Sequence, residues 1–196
     1  MTFNIAPLRL VKGENEYPEF RDALGDLQKE AIARASEVWS GWTFGGVRPE
    51  AKQFGVTGIM PRHMFGGDTA TYTKAYGSQG SWANIFSRVV PEDLIFGVAG
   101  FAFTDPTLIF SQVRWEVEDR IYPIVPIEEA HGWGLPFAVM LKQDRGESLI
   151  IPEEQRFLLR GFQERATRGQ TARIVPIGFM LYKNKDLVIR ESETGN

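Results

Sequence analysis

Apolar and polar residues alternate most cleanly between Ile109 and Glu118. Ile109, Val113, Trp115 and Val117 share one parity, while Gln112, Arg114, Glu116 and Glu118 share the other. A period of two places successive side chains on opposite faces of a strand, so this segment predicts a sheet with one dry face and one wet face. Apolar runs punctuated by glycine and proline predict further strands over 53–60, 69–76, 94–103, 121–127, 136–141, 148–151, 156–162, 172–182 and 187–189. Helical spacing is clear in one place. From Pro18 to Trp39, the residues Phe20, Leu24, Leu27, Ala31, Ala35 and Val38 recur at three- and four-residue steps, Glu19 and Asp22 oppose the macrodipole, and Gly41 supplies a stop. Gly25 inside that helix costs about 1 kcal/mol relative to alanine, so the helix needs something to pack against. Residues 2–12 alternate loosely and predict an extended arm or strand that ends at the polar turn Gly13 to Glu16; residues 81–88, SWANIFSR, read as a short helical turn before Pro91.

Many short strands with turn signals between them, and no strand–helix–strand alternation, predict a mainly β fold. The expected architecture is an antiparallel β-sandwich, jelly-roll-like, with one N-terminal amphipathic helix. It forms a single domain over 1–196, with an arm or strand at 1–17, the helix at 18–40 and the sandwich at 42–196. A length of 196 residues suits one domain with a full core. Two short echoes punctuate the strands. Val90-Pro91-Glu92-Asp93 resembles Ile151-Pro152-Glu153-Glu154, and Ile124-Val125-Pro126-Ile127 resembles Ile174-Val175-Pro176-Ile177. Their unequal offsets argue against tandem duplication. A β-branched strand end followed by a proline that cannot extend a ladder marks a sheet edge or corner instead.

Composition sharpens this. Hydrophobic residues make up 43% and charged residues 24% of the chain, within the range of folded globular domains, but 14 Phe, 5 Trp and 5 Tyr beside 20 Gly and 11 Pro favour strands and tight turns. A net charge of −3 offers phosphate no broad attraction, so nucleic acid is not expected as the main partner. The absence of cysteine excludes disulfides, thiolate metal sites and thiol nucleophiles. No transmembrane segment and no signal peptide are expected, which places the chain in the cytoplasm, or in a virion if it is viral.

Candidate chemistry is sparse. His63 and His131 are the two histidines; His63 could be oriented by Asp68, but no GxSxG elbow accompanies it. Glu128, Glu129 and His131 are too close in sequence to converge on a metal, and the glycine pairs 45–46 and 66–67 fit no phosphate loop. Asp93, Glu116, Glu118, Asp119 and Glu153 are the acids from which a glycosidase-type pair would be drawn. Arg156, Arg160, Arg165, Arg168 and Arg173 form the densest basic stretch and predict ion pairs across strands or between subunits. The expectation is therefore no catalytic residue, no metal and no cofactor.

Aromatic residues near the helix end and in glycine-flanked loops are the candidates for partner contact: Trp39, Trp42, Phe44 and Trp133. The layout resembles the single jelly-roll coat proteins of icosahedral viruses, a resemblance of arrangement carried by no motif. It implies a structural, self-assembling capsid protein of a virion, not an enzyme. Its partners would be copies of itself as a homo-oligomer and other structural proteins. The arm and helix would pack on neighbouring subunits, and the loops of Trp42 and Trp133 would shape contacts between capsomers. The alternatives are a carbohydrate- or other ligand-binding β-sandwich using exposed aromatic rings, and an enzyme on the same scaffold using His63 or His131.

Overall fold

The structure, a computed structural model, describes residues 2–7, 18–39, 54–66, 69–76, 80–104, 109–128, 137–142, 149–163 and 171–183. Its elements in chain order are β1 (Thr2–Pro7), α1 (Pro18–Val38), β2 (Phe54–Gly58), α2 (Pro61–Phe65), β3 (Thr73–Ala75), β4 (Ser81–Val89), β5 (Leu94–Phe103), β6 (Phe110–Val117), β7 (Arg120–Ile121), β8 (Val125–Pro126), β9 (Phe137–Lys142), β10 (Ile150–Ile151), β11 (Arg156–Gln163) and β12 (Thr171–Lys183). One sheet runs β1-β9-β5-β12-β2, with β10 on β5 and β3 on β12; the other runs β4-β11-β6-β7, with β8 on β6. Every pairing is antiparallel.

The pairings are nested. β2 and β3 pair with β12, β4 with β11, β5 with β9, and β6 with β7 and β8. That is the order of one long hairpin rolled up so that β12 also meets β5 and β11 also meets β6, closing two facing sheets. The result is an antiparallel β-sandwich, jelly-roll-like in its strand order. The aromatic excess fills the space between them. Phe101 lies 6.2 Å from Phe157, 6.3 Å from Trp115 and 6.3 Å from Phe86, while Phe103 stacks on Phe137 at 5.0 Å. Val113, Trp115, Phe157 and Leu159 point inward from β6 and β11, as the alternation predicts.

The outer face of the first sheet lies under α1. Leu27, Ala31, Ala35 and Trp39 pack on Ile95, Ala99, Phe179 and Leu181. The stripe predicted from sequence is the buried one, and its alanines let the helix sit close to the sheet. Both N-terminal elements pack on their own chain: β1 pairs with β9 along its length, and α1 covers β5 and β12. One expectation is corrected, at 81–88. The segment is not a helical turn but the strand β4, because Ile85 and Phe86 are fully buried and β11 supplies backbone partners from Ser81 to Val89. The short α2 escaped the periodicity reading; the strand read at 121–127 splits into β7 and β8 around Pro123, and 187–189 lies outside the described residues.

The first echo lies where the chain turns between sheets, as expected; the second does not mark a sheet end in β12, where Ile174 to Ile177 pair with β5. Pro91 to Leu94 and Pro152 to Gln155 are turns closed by Leu94 N–H to Pro91 O (3.2 Å) and Gln155 N–H to Pro152 O (3.4 Å). The first carries the chain from β4 in one sheet to β5 in the other, and the second carries it back from β10 to β11. The two turns lie side by side, joined by Val90 N–H to Gln155 O and Glu154 N–H to Val90 O, both 2.9 Å. Asp93 (φ 68°) and Glu154 (φ 64°) take the left-handed conformation these turns require. In the other echo, Pro126 lies in the two-residue β8. Pro176 lies inside β12 between the stretch paired with β3, which ends at Arg173, and the stretch paired with β2, which begins at Phe179. No ladder hydrogen bond is lost on that side, which is how a long strand keeps a proline.

β5 and β12 approach closely at a bulge. A methyl group on Gly178 would lie 2.1 Å from the Gly97 carbonyl oxygen, a backbone atom that cannot step aside. We predict that Gly178→Ala costs about 3 kcal/mol and lowers the melting temperature by roughly 10 °C, measured by thermal denaturation.

Candidate interaction surface

With α1 on one sheet and aromatic rings between the two, the surface that combines partial burial with charge is the outer face of the β4-β11-β6-β7 sheet. Its residues are the wet parity of β6 and the matching positions across the ladder. Three cross-strand rows build it: Trp82, Phe162 and Gln112; Asn84, Arg160 and Arg114; and Ser87, Leu158, Glu116 and Ile121. Ile121, Ile124 and Val89 are exposed at 62%, 49% and 51%, adding an apolar rim.

The centre is electrostatically unbalanced. Arg114 and Arg160 stand directly opposite each other in register, an arrangement that repels. A single oxygen, Oε1 of Glu116, serves both, at 3.2 Å from Arg114 Nε and 3.7 Å from Arg160 Nη1. The Arg114 guanidinium lies 4.6 Å over the Trp82 ring, and Trp82 meets Phe162 edge-on at 5.5 Å. The aromatic pair therefore holds one arginine from below while the carboxylate holds it from the side. Side-chain exposures of 22% for Arg114, 14% for Glu116 and 30% for Arg160 make this a half-buried cluster. The Nε atoms of both arginines and Glu116 Oε1 are shielded from solvent without a well-aligned hydrogen bond among the described residues. Two cations share one anion in a setting where charges are screened less than on open surface.

The other candidate residues fall elsewhere. Trp39 is 1% exposed in the seam between α1 and the sheet, with Lys183 Nζ 5.1 Å over its ring, so its indole is part of the core rather than an outward contact. Trp42, Phe44 and Trp133 lie outside the described residues, as do His131, Asp68, Glu129, Arg165 and Arg168. Glu128 is described and exposed. Arg160 makes the cross-strand ion pair expected of the basic stretch. Asp93 and Glu153 are brought together, as a clasp on Lys183: Lys183 Nζ is 2.7 Å from Asp93 Oδ1 and 3.6 Å from Glu153 Oε2, and Asp93 N–H donates to Glu153 Oε2 at 2.6 Å. Among the described residues, no group of three or more His, Asp and Glu side chains is placed to hold a metal ion, and no helix is long and apolar enough to cross a membrane.

His63 sits at the third position of α2, where its side-chain Nδ1 accepts a hydrogen bond from Met60 N–H (3.1 Å) while its backbone N–H donates to Met60 O (2.9 Å). This reciprocal pair closes the start of the helix. Desolvation, then the charges of Arg62 and Arg88, hold the imidazole below its usual pKa. Trp82, Phe162 and Leu158 were not legible as site residues. Their only sequence signal is the alternation of β11 and β4, which becomes readable once β6 is known to lie beside β11.

Compared with known proteins, the chain matches no family model, no curated protein and no solved structure.

A neutral His63 is stabilised by the fold, so its contribution is full above the unfolded value of about 6.5 and is lost as pH falls below it. Wild type should therefore lose more thermal stability between pH 7 and pH 5 than His63→Gln, which keeps an acceptor for Met60 N–H and cannot titrate. Glu116→Gln leaves the opposed arginines without a counter-charge. Chemical denaturation should show a loss of about 1–2 kcal/mol at low ionic strength, partly recovered by added salt.

Proposed function

We propose that this chain is a structural subunit that assembles with copies of itself, in its most concrete form a coat subunit of a virion. The observation that carries the reading is the jelly-roll-like β-sandwich, whose interior is occupied by its own aromatic side chains. The uses of this fold include capsid subunits, lectins and cupins. Fold alone decides nothing among them, and the details of this chain weigh differently on each. A cupin-type site needs ligands lining the barrel, where this chain places Phe86, Phe101, Phe157 and Trp115. A sugar platform is best served by coplanar exposed rings, and Trp82 and Phe162 instead meet at 63°. His63 is engaged in closing α2, which weakens the enzyme alternative. Among the described residues, what these weigh toward is recognition through an outer surface, and the half-buried aromatic and charged sheet face with its apolar rim has the composition of a protein contact.

Light scattering and native mass measurement of the purified chain test the reading, with electron microscopy of any large species. Multimers that grow with protein concentration are the expected result. A strict monomer at high concentration overturns self-assembly.

A further inference from the structure

We infer that the arginine pair on the open sheet face receives the acidic corner of a second copy of this chain, in a head-to-tail contact. This rests on the self-assembly reading and names the groups that would carry it. Arg114 and Arg160, with side chains 22% and 30% exposed, present two guanidinium groups to one carboxylate oxygen, and Trp82 fixes one of them in place. Such a pair is completed by another carboxylate, because guanidinium and carboxylate make strong charge-assisted hydrogen bonds where water is partly excluded.

The same chain supplies that chemistry elsewhere. The two paired corner turns hold four acids. Asp93 and Glu153 point to Lys183, whereas Glu92 and Glu154 are exposed and make no ion pair among the described residues. The corner therefore ends in two exposed carboxylates on turns joined by backbone hydrogen bonds. The arginines project from the middle of β6 and β11, whereas Glu92 and Glu154 lie in the turns beyond the ends of β4 and β11, so rigid strands keep the two groups of one copy apart. The chain as a whole is acidic, at −3, while the centre of this face carries a net positive charge. A basic face and an acidic tip at different places on one molecule form a heterologous interface, which closes into rings or propagates as a filament according to the rotation it imposes.

The test is a charge exchange in the full chain, read by sedimentation or light scattering at low ionic strength. Glu92→Lys/Glu154→Lys alters exposed residues only, and its melting temperature checks that it folds. It should raise the concentration needed for assembly at least tenfold. Arg114→Gln/Arg160→Gln, a milder change than reversal at the half-buried site, should do the same. Arg114→Glu/Arg160→Glu should fail to assemble alone and co-assemble when mixed with the lysine variant. If wild type assembles and the lysine variant assembles equally well, the proposed contact is wrong and self-assembly stands. If wild type is monomeric at every concentration, the self-assembly reading and this contact fall together.

Discussion

The backbones of β5 and β12 close on each other at Gly97 and Gly178 with no room for a methyl group between them, and the rest of the sandwich is hung on that contact. β12 is the longest strand, and it joins β5 on one side to β2 and β3 on the other. Its inward residues Ile174 and Met180 enter the aromatic core, while Phe179 and Leu181 form the floor for α1. A strand so far along the chain from its partner is costly to bring home, since the ladder rewards the loop closure only after it forms. Small residues at the crossing are what allow the two strands to bulge and twist together without losing contact.

Once that sheet is in place, its two faces have different fates from those of its partner sheet. One face looks onto the aromatic interior and the other is taken by the alanine and leucine stripe of α1. The partner sheet shares the interior but has no helix on its outer side among the described residues. Its β6, β11 and β4 positions are consequently free to carry a mixture that a core would reject: two arginines, a glutamate, a tryptophan edge-on to a phenylalanine. The half-burial of this cluster matters because full exposure would reduce the ion pairs to little, and full burial would make an odd positive charge too costly to keep.

The corner turns tie the two sheets together at one end. Lys183, at the end of β12, reaches Asp93 in one turn, Glu153 in the other and the Trp39 ring at the end of α1. A single cation thus links β12, both corners and the helix. Two similar sequences serve there as antiparallel neighbours, since a proline that stops a ladder and an acid that accepts a turn conformation suit either direction of travel between sheets.

Periodicity alone settled the elements whose two faces differ. β6 is legible because Trp115 and Arg114 cannot share an environment, and α1 because Leu27, Ala31 and Ala35 fall on one side of a 3.6-residue turn. The echoed Val-Pro-Glu-Asp and Ile-Pro-Glu-Glu segments are legible as corners for the local reason that proline lacks an amide hydrogen. β4 was not legible, since SWANIFSRV carries no clean alternation and becomes a strand only through its pairing with β11. Nor did the chain's order disclose that Arg114 faces Arg160, that Glu116 must serve both, or that Trp82 lies beneath. Those residues belong to three strands, and their meeting depends on register across the ladder, which is decided by the whole sandwich packing at once rather than by any segment's own preference.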